Sequence, residues 1–188
     1  MSSDKILKKS TFGGFKKEGV LNYIEELQAE IDALISDGKI DYVAGSVDNN
    51  LTSEVKNALS TLSKDASSFF IMIEEGQIDK RSHNKDQAGA IEMVKRFNDA
   101  IAYATQFTLC HPDTLLIVTA DHETGAIRKN ADGSFSYTSG SHSVSNVPIF
   151  PNGAGTEIFH HKSTDNTEIP KFIAKIFGED AFGSKQAY

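Results

Sequence analysis

The sequence has a single cysteine, no long apolar run and comparatively few basic residues, and each shortage excludes a class of protein. With Cys110 alone among its 188 residues, the chain can form neither an internal disulfide nor a multi-cysteine zinc or iron–sulfur site. No apolar run reaches the roughly 18 residues that a membrane span needs. The first residues lack a basic segment followed by an apolar one, so we expect no signal peptide within this sequence.

Acidic residues outnumber basic ones, which bears on possible partners. Lys and Arg total 19 against 26 Asp and Glu, giving a formal net charge of -7 and a sequence pI near 5.3. A nucleic-acid binder normally presents a basic face to phosphates, so we predict no nucleic-acid partner. The 39% hydrophobic and 24% charged content is typical of a globular protein with its own core.

Hydrophobic periodicity predicts four helices and two strongly apolar strands. The helices are an acidic amphipathic one at 20–34, followed by 52–64, 87–108 and 167–177. The strands are unbroken apolar runs at 69–73 and 115–118, a pattern typical of strands buried on both faces of a parallel sheet. Because strand, long helix and strand form a βαβ unit, we predict an α/β fold with parallel central strands. Weaker strand pairs at 126–137 and 147–159 are predicted to be hairpins.

Carboxylates and histidines follow both apolar runs directly. Glu74, Asp79 and His83 follow the first run, and Asp121 and His122 follow the second. Because the carboxyl ends of parallel strands share one sheet edge, we expect both groups to lie there together. Asp79 and His83 are four residues apart, so one helical turn would align them toward a shared ion. Oxygen and nitrogen ligands without thiolates suit zinc, iron or manganese, whereas all-oxygen ligands suit magnesium.

Three segments resemble the C-terminal half of an alkaline phosphatase. Residues 73–83, Ile-Glu-Glu-Gly-Gln-Ile-Asp-Lys-Arg-Ser-His, are similar to the family's Val-Glu-Gly-x-x-Ile-Asp-x-x-x-His element. Residues 118–125, Val-Thr-Ala-Asp-His-Glu-Thr-Gly, are similar to its Val-Thr-Ala-Asp-His-x-x-Gly element. The Gly-Ser-His-Ser stretch at 140–143, with the Val-Pro-Ile-Phe that follows it, resembles the third histidine segment. The closing Asp-Asn-Thr-Glu-Ile at 165–169, which leads into a helix, fits the family's end, so the resemblance covers roughly residues 52–178.

The resemblance implies a fold and a division of the chain. The expected fold is a partial α/β/α sandwich with a mainly parallel central sheet that lacks its N-terminal strands. Residues 51–188 would form the C-terminal half of the alkaline phosphatase domain. Residues 1–50 would be a loosely anchored lead-in and acidic helix, corresponding to a family insertion or decoration.

The resemblance also implies metal ligands and a phosphate neighbour. The first zinc would bind Asp79, His83 and His142, and the second zinc would bind Asp121 and His122. Glu74 would contribute to a magnesium site, and Lys80 would lie near the phosphate. Glu75 stands where the family typically has glycine, but the five-residue step to Asp79 favours Glu74 as the magnesium ligand.

The implied activity is hydrolysis of phosphate monoesters through a phosphoserine intermediate. Two zinc ions can stabilise both the entering and the leaving oxygen of an in-line displacement. The family resemblance further implies a periplasmic or extracellular location and a possible homodimer.

No segment of the first seventy residues resembles the family's nucleophilic serine segment, nor its upstream aspartate or phosphate-binding arginine. We therefore expect the chain to be a C-terminal fragment, whose partner is the missing N-terminal half of its own domain. Its second zinc site would keep two ligands and its magnesium site one. We expect the isolated chain to be inactive.

Two other hypotheses about the function stay open. Sulfatases, phosphodiesterases and phosphomutases share the metal-binding scaffold in part, although the Glu74-to-Asp79 spacing favours a phosphatase. A non-catalytic metal-binding or partner-binding module is the alternative from a different class. The reading frame upstream of Met1 would distinguish an enzyme from such a module.

Overall fold

The structure is a computed structural model that describes residues 40–46, 48–65, 68–159, 165–178 and 182. The described residues group into two compact units, which meet in the sequence between Gly76 and Gln77. The predicted acidic helix at 20–34 lies outside the described residues, as do His160 and His161, for which we predict a solvated turn. No helix in the described part of the chain is long and apolar enough to cross a membrane.

In its described residues the first unit has two strands and one helix, and the second has three helices, six strands and a 3-10 turn. The first unit comprises β1 (Ile40–Ala44), α1 (Leu51–Asp65) and β2 (Phe70–Glu74). The helices of the second unit are α2 (Gln77–His83), α3 (Gln87–Cys110) and α4 (Glu168–Ile176). Its strands are β3 (Leu115–Thr119), β4 (Glu123–Thr124), β5 (Ile127–Lys129), β6 (Phe135–Tyr137), β7 (His142–Ser143) and β8 (Ile149–Gly153), and the 3-10 turn spans Thr156–Phe159.

The α1 helix has an apolar stripe that is buried in the first unit. Its buried side chains recur at intervals of four, four and three residues, which places them on one helical face. They are Leu51, Val55, Leu59 and Leu62. The cap is Asn50, whose side-chain oxygen accepts a 3.0 Å hydrogen bond from the backbone N–H of Ser53. The helix therefore begins one residue before the predicted range of 52–64.

The sheets differ from the predicted mainly parallel central sheet. β1 and β2 pair in parallel, but the other three pairings among the described residues are antiparallel: β3 with β8, β4 with β7, and β5 with β6. β2 and β3, expected to be parallel neighbours, therefore belong to different sheets. An unbroken apolar run identifies a strand without specifying its partner. The β5–β6 hairpin was predicted correctly.

Neither apolar strand is buried on both faces in the described structure. Met72 in β2 is 50% exposed, and every residue of β3 retains some exposure. The partner of β3 was also missed, because β8 has the sequence Ile-Phe-Pro-Asn-Gly and its last three residues are typical of a turn. Residues 156–159 form the 3-10 turn where we expected a second strand.

The buried face of α3 is offset from the apolar stripe that periodicity predicts. The larger aliphatic side chains Ile91 and Val94 are 48% and 50% exposed. The buried positions are mostly small, namely Ala90, Met93, Ala100, Ala104 and Thr108. Small residues let a helix approach its neighbours closely, so size as well as hydrophobicity selects this face. Ile176 of α4 is likewise an apolar residue with 57% exposure.

Asp86 fixes the start of α3, just beyond the helix that carries the first candidate ligands. Its carboxylate accepts a 3.0 Å bond from the Gly89 N–H and forms a 3.1 Å ion pair with Arg81 of α2. We expect Asp86→Ala to lower the free energy of unfolding by about 1 kcal/mol, because the cap is lost. Asp86→Asn keeps a capping oxygen and loses only the ion pair with Arg81. Its free energy of unfolding should fall much less, since half-exposed ion pairs contribute little. Urea denaturation of the three proteins checks this, and equal losses in both variants would contradict the capping role.

Candidate metal centre

Helix α2 places Asp79 and His83 side by side. The two residues are separated by four positions, so they share one face of the helix. Asp79 Oδ1 lies 3.3 Å from His83 Nε2, and both side chains are about one-third exposed. This is the juxtaposition that their spacing predicts.

The third member of the group, His142, comes from a distant part of the sequence. It lies on β7, which pairs antiparallel with β4 so that His142 stands opposite Thr124. Its Nε2 is 3.3 Å from Asp79 Oδ1 and 3.0 Å from His83 Nε2. The pairing of two very short strands therefore completes a cluster of one carboxylate and two imidazoles.

A backbone carbonyl sets the orientation of His83. The Nδ1 atom of its ring lies 2.8 Å from the carbonyl oxygen of Gly140. A carbonyl only accepts hydrogen bonds, so Nδ1 carries a proton, and the neutral ring then has its lone pair on Nε2. Nε2 is the atom that points toward Asp79 and His142. Such a second hydrogen bond on the far nitrogen is the usual support of a metal-binding histidine.

The spacing of the three donor atoms fits a tetrahedral metal ion. Their separations are 3.0, 3.3 and 3.3 Å. A tetrahedral zinc with bonds of about 2.0–2.1 Å has ligand atoms about 3.3–3.4 Å apart. The side chains of Asp79 and His142 are 35% and 48% exposed, so the cluster is accessible to solvent. Three protein ligands with an open fourth position are typical of catalytic zinc sites.

Asp121 and His122 form a second pair of donors next to the first cluster. Asp121 Oδ2 is 3.2 Å from His122 Nε2, with the aspartate 85% exposed. The His122 ring stacks on the ring of His142 with 3.5 Å between centroids. In the described residues this pair gains no third histidine, cysteine or carboxylate within metal-binding distance.

Thr124, which the sequence analysis did not single out, connects the two sets of donors. Its hydroxyl donates a 2.6 Å hydrogen bond to Asp79 Oδ1 and lies 3.1 Å from His122 Nδ1. The residue is 8% exposed. The sequence signal that could have found Thr124 is strand alternation. Thr124 comes two residues after His122, and residues two apart in an extended segment point the same way.

Glu123 is the other residue that sequence reasoning missed. Its carboxylate accepts bonds from the Ala126 and Ile127 N–H groups, at 3.2 and 3.1 Å, and from the Ser143 hydroxyl. The Ser143 hydroxyl is the main reason that the pKa of Glu123 lies below its usual value. The carboxylate thus ties β4 to β7 and to the turn where Ala126 adopts a φ of 46°.

Lys80 and Glu74 are the two remaining residues of the predicted site. Lys80 is an exposed residue of α2, directly after Asp79. Glu74 ends β2 in the first unit, and its carboxylate accepts a hydrogen bond from the Tyr42 hydroxyl. Burial, followed by this contact with Glu74, raises the pKa of Tyr42 to about 12. The roles of Lys80 at phosphate and of Glu74 at magnesium stay predictions.

Solved structures share this fold. This chain superposes on a cold-active alkaline phosphatase from a psychrophilic Shewanella with a TM-score of 0.64 and 21% sequence identity. The match covers 68% of this chain and 50% of the Shewanella protein. A variant of the alkaline phosphatase from the Antarctic bacterium TAB5, with Mg bound in its M3 site, superposes with a TM-score of 0.54 at 36% identity. That match covers 61% of this chain and 37% of the TAB5 enzyme. Both likenesses indicate an α/β fold of the alkaline phosphatase type.

The sequence itself places the chain in a family. The alkaline phosphatase family model matches residues 25–135, which is more than half of the chain. The chain therefore belongs to the alkaline phosphatase family. Among curated relatives, alkaline phosphatase 3 of Bacillus subtilis is 36% identical over 90 residues, which is 48% of this chain and 20% of that protein. Streptomycin-6-phosphate phosphatase of Streptomyces griseus is 43% identical over 54 residues, or 29% of this chain and 12% of that one. The chain thus spans a fifth or less of these relatives.

Proposed function

We propose that this chain supplies the zinc-binding part of an active site that hydrolyses phosphate monoesters. The observation that carries the proposal is the set of three donor atoms in Asp79, His83 and His142, separated by 3.0–3.3 Å. Family membership supports the reaction class, and the donor geometry supports the metal. His142 lies beyond the residues that the family model matches, so its place in the cluster is independent support.

The chain's own residues would hold the metal that polarises the phosphoryl group, and none of them would be the attacking nucleophile. A bound zinc ion would act as a Lewis acid on phosphoryl oxygens. Asp79 and His83 would hold it from one rigid helical turn, and His142 would approach from β7. Asp121 and His122 would provide part of a second zinc site, and Glu74 one ligand of a magnesium site. Lys80, one residue from Asp79, would contribute positive charge near the phosphate.

We propose that the reaction in the intact protein proceeds through a phosphoserine. No segment of the first seventy residues resembles the family's serine segment, so the 188 residues alone would bind metal without turning over substrate. A periplasmic or extracellular location and a homodimer, both implied by the resemblance, also stay predictions. The non-catalytic module remains the alternative, and the coding sequence upstream of Met1 would distinguish it from the enzyme.

A substrate panel tests the proposed reaction. The protein, expressed with whatever coding sequence is continuous with residue 1, is assayed with matched aryl phosphate monoester, phosphodiester and sulfate ester. We expect the monoester to be hydrolysed fastest, and Asp79→Asn to lose that activity while keeping the fold. Preference for the sulfate ester or the diester would assign the chain to a different branch of the superfamily. If Asp79→Asn kept full activity, the proposed metal site would have no part in the mechanism.

A further inference from the structure

We propose that Glu123 and Ser143 are positioning residues that present His142 to the candidate metal centre by fixing the register of β4 against β7. The inference rests on the proposed function, in which His142 binds zinc. It goes further because it assigns a role to two residues outside the proposed ligand set. It also concerns the structure of the metal-free protein, which can be tested separately from zinc binding.

The β4–β7 pairing places His142 and Glu123 on opposite faces of a very short ladder. Glu123 stands opposite Ser143, and Thr124 stands opposite His142. Paired residues share a face, whereas successive residues of a strand point to opposite faces. The face with Thr124 and His142 is directed at α2, because Asp79 Oδ1 lies 2.6 Å from the Thr124 hydroxyl and 3.3 Å from His142 Nε2. The Glu123–Ser143 pair therefore lies on the other face.

A register shift of one residue would remove His142 from the cluster. It would place either His142 or Val144 opposite Glu123. In both cases the His142 side chain would move to the face that Glu123 occupies, away from Asp79. The backbone does not select against these shifts, because its donors and acceptors are alike at successive residues. Both strands are also polar, with the sequences Glu-Thr and His-Ser, and polar strands specify their register weakly.

A side-chain hydrogen bond across the ladder selects the observed register. The Ser143 hydroxyl donates to the Glu123 carboxylate, whose ionised form can only accept. That carboxylate is held on its own strand, because it also accepts 3.2 and 3.1 Å bonds from the N–H groups of Ala126 and Ile127. Ser143 leaves its position opposite Glu123 after either shift, so the bond favours the observed register. Hydrogen bonds to a charged group are also about twice as strong as neutral ones.

The Ser143 hydroxyl can be removed without changing the charge of the protein. Ser143→Ala deletes the hydroxyl, whereas Ser143→Thr retains it. The matched control is Ser134→Ala, because the Ser134 hydroxyl likewise donates to a carboxylate, that of Asp132 at 2.6 Å, in the turn of the β5–β6 hairpin. Since none of the three substitutions removes a charge, a change in zinc affinity cannot come from lost negative charge.

Nuclear Overhauser contacts in the metal-free 188-residue chain report the register directly. The His142 ring stacks on the His122 ring with 3.5 Å between centroids, so the parent should show contacts between the ring protons of the two histidines. We expect the same contacts in Ser143→Thr and in Ser134→Ala. In Ser143→Ala we expect them to weaken or disappear, because shifted registers become populated.

Zinc titration of the same four proteins gives the second readout. Loss of a residue that supports a metal ligand typically costs 10–100-fold in affinity. We therefore expect a loss of about 10–100-fold in Ser143→Ala and of less than about 3-fold in the other two variants.

The two readouts separate this proposal from the proposed function. A folded Ser143→Ala protein that keeps the ring contacts would overturn the proposal, whatever its zinc affinity, and so would a parent without those contacts. Should Ser143→Ala fail to fold, Glu123→Gln takes its place, because glutamine keeps the side-chain length and removes one of the two acceptor oxygens. Failure of the parent to bind zinc, or unchanged zinc affinity in a variant that has lost the contacts, would instead overturn the proposed function.

Discussion

Replacing Asp79 with alanine is expected to weaken zinc binding by at least about 100-fold. Loss of a hydrogen-bonding partner behind a ligand already costs 10–100-fold, so loss of a ligand itself should cost more. Asp79 Oδ1 is also the atom that approaches both histidines, at 3.3 Å in each case. Competition against a chromophoric chelator, with the zinc concentration varied, measures the change.

The matched control is Asp132→Ala. This substitution removes the same charge from an exposed turn residue, whose carboxylate accepts bonds from Ser134. We expect its zinc affinity to equal that of the parent. If the two aspartate variants lost affinity equally, zinc would be responding to overall negative charge and not to the cluster.

The second large effect concerns turnover. With zinc and magnesium added, the 188-residue chain is expected to hydrolyse p-nitrophenyl phosphate no faster than its His83→Ala variant. The reason is that no segment of the first seventy residues resembles the family's nucleophilic serine segment. Loss of a nucleophile alone costs about 10⁶-fold in turnover in a serine hydrolase. The measurement is initial rate against zinc concentration for both proteins.

His83→Ala serves as the control because it removes a proposed ligand and leaves any contaminating phosphatase unchanged. Zinc-dependent hydrolysis by the parent above the variant would contradict the expectation. It would mean that the residues present already form a functional site with an unrecognised nucleophile.

The helices and the first two ligands were predictable because local patterns specify them. α1 and α3 begin and end within about two residues of the predicted bounds, since their apolar periodicity extends over many turns. Asp79 and His83 needed only the four-residue spacing of one helix. For these residues, sequence separation determines spatial separation directly.

The sheet and the links between the two sites were not predictable in the same way. β4 and β7 are two residues long, too short for an alternating pattern, yet their pairing brings His142 to Asp79. The roles of Glu123 and Thr124 depend on tertiary contacts, and neither residue type is distinctive by itself. The offset buried face of α3 has a similar origin, because close packing selected alanines over nearby isoleucine and valine.

The most direct test of the central claim is to locate zinc in crystals of the zinc-loaded chain by anomalous diffraction at the zinc edge. We expect one strong peak within about 2.0–2.2 Å of Asp79 Oδ1, His83 Nε2 and His142 Nε2. A peak at other residues, with this cluster lacking zinc in the same crystals, would contradict it.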